Sequence, residues 1–130
     1  ELPDGRSVEL DAGRWEEVFH ALAEAGQVPV IVSNATTTSE VTGTCGGFST
    51  WGEVFNVQSG SLDLHIRWKR IATIWAIEKP SHTDGTRTLS VQFYDVDGGA
   101  ALKAFIVFAG KPSDKRLALF TSFKERFRKA

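Results

Sequence analysis

Two apolar runs separated by a short basic corner stand out in the hydrophobic pattern of the chain. In residues 62–68, Leu, Leu, Ile and Trp alternate with Asp, His and Arg. A period of two places the apolar set on one face of a β-strand and the polar set on the other. The run 71–79 is apolar on both faces and predicts a central strand that is covered on both sides. The pattern therefore predicts two strands joined at the corner Lys69–Arg70, with His65 and Arg67 side by side on a polar face.

Other segments with strand composition surround this pair. They are Val28–Ser33, Thr36–Thr42, Trp51–Gln58, Arg87–Asp95 and Ala101–Phe108. The sequence V-D-G-G at 96–99 is a strong hairpin signal, so we expect the last two of these strands to pair. The segment 36–42 is rich in threonine and polar on both faces, which favours an edge strand or the border of a wet site.

A helix is predicted near each end of the chain. Asp11 can cap a helix that runs to about Ala25, where Gly26 would stop it. Ser113 can cap a second helix that runs to about Arg128. The order helix, strands, helix predicts an α+β fold, in which terminal helices flank a large antiparallel meander.

Composition is consistent with one folded domain over residues 1–130. The chain is 42% hydrophobic and 24% charged, with a net charge of −1. Residues 1–63 carry a net −8 and residues 64–130 a net +7. This asymmetry suits an anionic ligand on the second half, or two subunits that pair unlike halves. Membrane association is not expected, since no apolar run approaches the roughly 18 residues of a span.

Several classes of chemistry are not indicated by the motifs present. Walker, dinucleotide-binding, nucleophile-elbow and zinc-protease signatures are missing from the sequence. Three distant histidines and one cysteine do not have the spacing of a zinc site. Nucleic-acid binding is not expected, because the basic residues near the C-terminus have no interleaved aromatic platform. Cys45 in the T-C-G-G segment is more simply structural than a thiolate ligand.

The remaining pattern suits an apolar, anionic, planar ligand. Four tryptophans and nine phenylalanines supply apolar surface. Arg67, Lys69, Arg70 and Lys79 are cations that can lie near carboxylates. His65 and Tyr94 are the candidate axial donors, since histidine and tyrosine both ligate haem iron.

Four motifs in order carry a family resemblance. They are V-P-V-I-V from Val28, G-E-V-F-N-V at 52–57, L-H-I-R followed by I-A-T-I-W-A-I-E-K-P within 64–80, and S-V-Q-F-Y-D-V-D-G-G-A-A-L-K-A-F at 90–105. The chain resembles the haem-utilisation family of HemS-type haem-degrading proteins and single-domain ChuX/HutX-type haem carriers. The resemblance implies one half of a two-repeat protein, a homodimer, and a cytoplasmic role in binding imported haem and passing it to a degrading partner.

The resemblance also bears on the ligand set. His65 falls where such carriers have a histidine implicated in haem binding. Some carriers have a tyrosine ligand at the position of Val54, and others have a second histidine at the position of Ser33. Neither valine nor serine ligates iron. The iron ligand is therefore His65 alone, or Tyr94 or His82 substitutes, or haem is not the ligand.

These expectations lead to one function and two alternatives. The favoured function is a non-enzymatic, cytoplasmic protein that buffers or delivers haem, with His65 as the metal ligand. One alternative is a haem-degrading oxygenase that takes electrons from an external reductant. The other is a protein of the same fold that binds a different amphipathic molecule.

Overall fold

Two antiparallel sheets and two helices make up the computed structural model, which describes residues 7–33, 36–60, 62–80, 87–107 and 113–129. The strands are β1 (Ser7–Leu10), β2 (Gln27–Ser33), β3 (Thr38–Thr44), β4 (Phe48–Trp51), β5 (Val54–Ser59), β6 (Leu62–Arg67), β7 (Ile71–Pro80), β8 (Arg87–Asp95) and β9 (Ala100–Val107). The helices are α1 (Trp15–Leu22) and α2 (Asp114–Phe127). The predicted α+β class is confirmed.

The larger sheet has six strands in the order β1-β7-β8-β9-β2-β3. The meander runs through β7, β8 and β9, and β2 then adds antiparallel to β9. The predicted hairpin of β8 and β9 is confirmed, with Gly98 at φ 91 in its turn. Phe108 and His82 lie outside the described residues. The threonine-rich strand β3 lies at the sheet edge, as its composition favours.

Strands β4, β5 and β6 form a second, smaller sheet. The prediction of one strand over 51–58 is wrong, because a two-residue turn at Gly52–Glu53 separates β4 from β5. Gly52 has φ 63, which is the conformation that tight hairpin turns need at a central position. The turn folds the run back on itself, so that Trp51 pairs with Val54.

The basic corner forms as predicted. Residues Trp68–Arg70 make a single 3-10 turn that carries the chain from β6 into β7, and therefore from the smaller sheet into the larger one. Strand β7 lies between β1 and β8. Ile74 and Ala76 on one face of β7 belong to the main core cluster, whereas Trp75 and Ile77 on the opposite face do not.

Both helices begin where capping residues predict. The Asp11 side chain accepts a hydrogen bond from the Gly13 N–H at 2.9 Å, and a helical segment continues through α1 to Gly26 at φ 74. The Ser113 hydroxyl accepts from the Arg116 N–H at 3.2 Å at the start of α2.

The core fills the space between the two sheets and the helices. Phe19 of α1 is fully buried and stacks on Phe93 of the larger sheet, with ring centroids 4.6 Å apart. The same ring lies 5.3 Å from Phe55 of the smaller sheet. Phe120, Phe123 and Phe127 add one face of α2 to this core. One aromatic side chain thus joins both sheets.

Candidate functional site

The smaller sheet has one face in the core and one face toward solvent, called here the outer face. Strand register places its outer-face side chains in rows that cross the three strands. One row is Ser49, Asn56 and His65, and the next row is Trp51, Val54 and Arg67. Alternation sends the neighbouring residues Leu64 and Ile66 toward the core, where both pack against the main cluster. His65 and Arg67 therefore lie side by side on the outer face, as predicted.

The His65 imidazole is exposed and held by two neighbours. Its Nδ1 lies 2.7 Å from Oδ1 of Asn56, the residue directly opposite on β5. Its Nε2 lies 3.4 Å from Oδ1 of Asp63, and 59% of the side chain is exposed. The ring is thus oriented by its neighbours on the sheet, while more than half of the side chain is exposed to solvent.

Beside His65, the outer face presents a cation and a large apolar surface. Arg67 is exposed and, among the described residues, has no ion-pair partner. Trp51 is 82% exposed, which is unusual for tryptophan, and its strand position is in the same row as Val54 and Arg67. Sequence reasoning missed Trp51, because the signal for it is the tight turn at Gly52, which places Trp51 across from Val54.

Lys69 and Arg70 of the basic corner form ion pairs with carboxylates. Lys69 pairs with Glu53 at 3.2 Å. Arg70 pairs with Asp95 at 3.2 Å and with Asp97 at 2.8 Å. The Asp97 N–H, which donates to Asp95, and the Arg70 guanidinium both lower the pKa of Asp95. These contacts join the basic corner to the turn after β8, so Arg67 is the cation best placed to receive an anionic ligand.

Tyr94 is not aimed at the outer face. Its hydroxyl donates to Oε1 of Gln92 at 2.9 Å, and Gln92 in turn donates to the Ser90 hydroxyl at 3.1 Å. All three side chains point to the face of the larger sheet that carries Trp75. The structure therefore separates the Tyr94 hydroxyl from the His65 imidazole.

A cavity of about 200 Å³ lies on the core side of β6. Its lining includes four predicted site residues, His65, Arg67, Arg70 and Tyr94, but is mostly apolar. Ligand pockets for drug-sized molecules measure about 300–1,000 Å³. The volume of this cavity is below that range.

Cys45 is buried at the loop between β3 and β4. Burial raises the pKa of its thiol to about 11, so the thiolate that binds metals is scarce at neutral pH. The structural interpretation of this cysteine is supported. Among the described residues, no group of three or more His, Cys, Asp and Glu side chains could hold a metal ion on its own.

Comparison with known proteins assigns the chain to a family. The profile of the haem utilisation ChuX/HutX family matches residues 8–123. The chain belongs to the ChuX/HutX family. A search of curated protein sequences finds no significant match. Within the described residues, none of the helices has the length and apolar character that a membrane crossing requires.

Solved structures show how the ChuX/HutX fold recurs. A protein from Agrobacterium tumefaciens is 26% identical, with a TM-score of 0.85 over 98% of this chain and 74% of its own. PhuS, a haem-binding protein from Pseudomonas aeruginosa, is 32% identical, with a TM-score of 0.76 over 93% of this chain and 35% of its own. The E. coli haem oxygenase ChuS is 22% identical, with a TM-score of 0.80 over 97% of this chain and 36% of its own. The chain thus spans about a third of PhuS and of ChuS.

Proposed function

We propose that this ChuX/HutX-family protein binds haem reversibly on the outer face of its smaller sheet and buffers or delivers it in the cytoplasm. The observation that carries the proposal is the combination on one open surface of the oriented His65 imidazole, the exposed Trp51 indole and the Arg67 guanidinium, which has no ion-pair partner within the part of the chain that the structure describes. Family membership and the haem-binding relative PhuS support haem as the ligand.

The donor set of the outer face fits haem chemically. His65 would supply the axial nitrogen, since neutral imidazole is a common ligand of haem iron. Arg67 would pair with a propionate carboxylate, a contact that guanidinium makes well. Trp51 and Val54 would cover part of the apolar macrocycle. The bound group supplies the iron centre, while the protein residues orient it and neutralise its charge.

The exposure of the proposed site favours a haem carrier over a haem-degrading enzyme. Enzymes that handle reactive oxygen intermediates close their sites against water. Here the His65 side chain is 59% exposed and Trp51 is 82% exposed, so a ligand on this face remains accessible to a partner. Such an open site suits transfer of haem to a haem-degrading protein.

The first test is a haemin titration followed by absorbance, with His65→Gln beside the wild type. His20 is an exposed histidine on α1, and His20→Gln is the matched control. We expect a saturable Soret shift in the wild type and in His20→Gln, and its loss in His65→Gln. Equal binding by all three proteins would overturn the site assignment. No saturable shift in any of them would favour a different amphipathic ligand.

A second test separates the carrier from the oxygenase. The haem-loaded protein is incubated with ascorbate, oxygen and catalase, and the spectrum is followed for hours. We expect the haem spectrum to persist and the haem to move to an acceptor protein such as apomyoglobin. Appearance of a bilin spectrum would show degradation instead.

The proposal includes a homodimer formed through the larger sheet. Ile77 and Gln92 lie on the face of the larger sheet away from the helices, outside the main core cluster. Trp75 lies beside them and is only half-buried. We expect a dimer in light scattering after size exclusion, and a monomer for Trp75→Lys with unchanged circular dichroism. A monomeric wild type would contradict this.

A further inference from the structure

We infer that Asn56 is a positioning residue that sets the tautomer of His65 and leaves Nε2 as its ligand atom. The inference rests on the proposed function, in which His65 binds the iron. It assigns a role to a polar residue of the outer face that the sequence analysis did not single out.

The three side chains form one row across the smaller sheet. Register places Ser49 opposite Asn56, and Asn56 opposite His65. The Asn56 amide nitrogen Nδ2 donates to the Ser49 hydroxyl at 3.2 Å, and its oxygen Oδ1 lies 2.7 Å from His65 Nδ1. The Asn56 amide thus lies between the Ser49 hydroxyl and the imidazole, with its oxygen toward the ring.

This amide orientation determines where the ring proton lies. A carbonyl oxygen has no proton, so it accepts only, and Nδ1 of His65 must therefore donate. A neutral imidazole that is protonated at Nδ1 has its lone pair at Nε2. Metal-bound histidines generally donate their second ring N–H to such an acceptor, which fixes the ring and raises the basicity of the ligand nitrogen.

Asp63 acts on the opposite edge of the ring. Its Oδ1 lies 3.4 Å from His65 Nε2 and accepts a hydrogen bond from Gln58 at 3.2 Å. A carboxylate at this edge favours the binding of a positively charged partner at Nε2, either a proton or a metal ion. Without Asn56, the neutral ring would place its proton on Nε2, facing Asp63. Asn56 and Asp63 therefore favour opposite tautomers, and the shorter contact is to Asn56.

The test is ring nitrogen NMR of the ¹⁵N-histidine-labelled, ligand-free protein, with His65 assigned from His65→Gln. We expect the Nδ1–H tautomer in the wild type and the Nε2–H tautomer in Asn56→Leu, which has no acceptor. Asn56→Asp keeps an acceptor oxygen and should restore Nδ1–H. Asp63→Ala is the control and should keep Nδ1–H. An Nε2–H ring in the wild type, or an unchanged ring in Asn56→Leu, would overturn the inference.

Haemin binding gives the second measurement. Loss of outer-shell partners typically lowers metal affinity about 10- to 100-fold. We expect a loss in that range for Asn56→Leu and recovery in Asn56→Asp. Equal haemin affinity in Asn56→Leu and wild type would also contradict the role. If the wild type binds no haemin, the proposed function fails, whereas the NMR result still decides whether Asn56 sets the tautomer.

Discussion

At the scale of single residues, neighbours decide what each polar side chain can do. Arg67 and Arg70 are three positions apart in the same basic segment, yet Arg70 is paired with two carboxylates and Arg67 with none among the described residues. The sequence shows that both cations are present, whereas their availability depends on the approach of the turn after β8.

Asp95 makes a pH-dependent contribution to stability. Its pKa is lowered, chiefly by the hydrogen bond from the Asp97 N–H and also by Arg70. A carboxyl whose folded pKa is lowered stabilises the fold above its unfolded pKa, and the contribution disappears as pH falls through the folded value. We therefore expect Asp95→Asn to lower the free energy of unfolding at pH 7, with a difference from wild type that vanishes in strong acid.

Urea unfolding at pH 7 and near pH 2.5 measures this difference. Asp114→Asn, which removes an exposed carboxylate from the start of α2, is a control for the loss of one negative charge. A difference between Asp95→Asn and wild type that is as large in acid as at pH 7 would contradict the assignment.

Cys45 should react slowly in the folded protein. Burial raises the pKa of its thiol from 9.0 to about 11, and the thiolate is the reacting form. The two-unit shift lowers the thiolate fraction at pH 8 about 100-fold, and burial adds a steric barrier. Labelling with a disulfide reagent at pH 8 should be slow in buffer and rapid in guanidinium chloride. Rapid labelling of the native protein would contradict the buried position.

At the scale of elements, a close approach between two backbone segments constrains the loop before β4. Gly47, before β4, has φ 58, and a Cβ at this position would overlap the carbonyl oxygen of Gln58 on β5. The Gln58 N–H also donates to the carbonyls of Gly46 and Gly47. This segment therefore ties the loop after β3 to the smaller sheet.

Gly47→Ala should destabilise the protein strongly. Backbone strain of this kind costs about 1–3 kcal/mol, and the clash with a backbone oxygen adds to it. Gly52→Ala is the matched control, because Gly52 has φ 63 but open space around its Cβ position. We expect the larger fall in urea midpoint for Gly47→Ala. Equal falls would show that the contact with Gln58 contributes nothing.

At the scale of the whole molecule, α1 holds the two sheets together. Phe19 is fully buried and contacts Phe93 of the larger sheet and Phe55 of the smaller one. The cavity beside β6 also borders Phe19. Loss of this ring would remove packing from both sheets at once.

Phe19→Ala should therefore lower the free energy of unfolding by about 3–5 kcal/mol, the usual cost of deleting a buried phenylalanine ring. Phe19→Leu keeps most of the volume and should cost less than half as much. Equilibrium urea unfolding of both variants measures this. A loss below about 1 kcal/mol for Phe19→Ala would contradict the central position of the ring.

Much of this architecture was predictable because it depends on local patterns. Alternation placed His65 and Arg67 on the polar face of β6, and the caps Asp11 and Ser113 predicted where the helices begin. The division at Gly52 was missed, since W-G-E-V also continues the pattern of a single strand. The exposed Trp51 was missed with it, because its place beside Arg67 depends on that turn.

The sequence alone determined the two helices, most of the strands, the α+β class, the family and the two polar residues of β6, since periodicity and ordered motifs are local properties of the chain. Only the tertiary structure decided that the strands divide into two sheets and that Arg70 is neutralised. It also decided that the Tyr94 hydroxyl points away from His65 and that Asn56 lies opposite the imidazole. These features depend on register and on contacts between residues far apart in the chain, and side-chain chemistry near one position does not specify them.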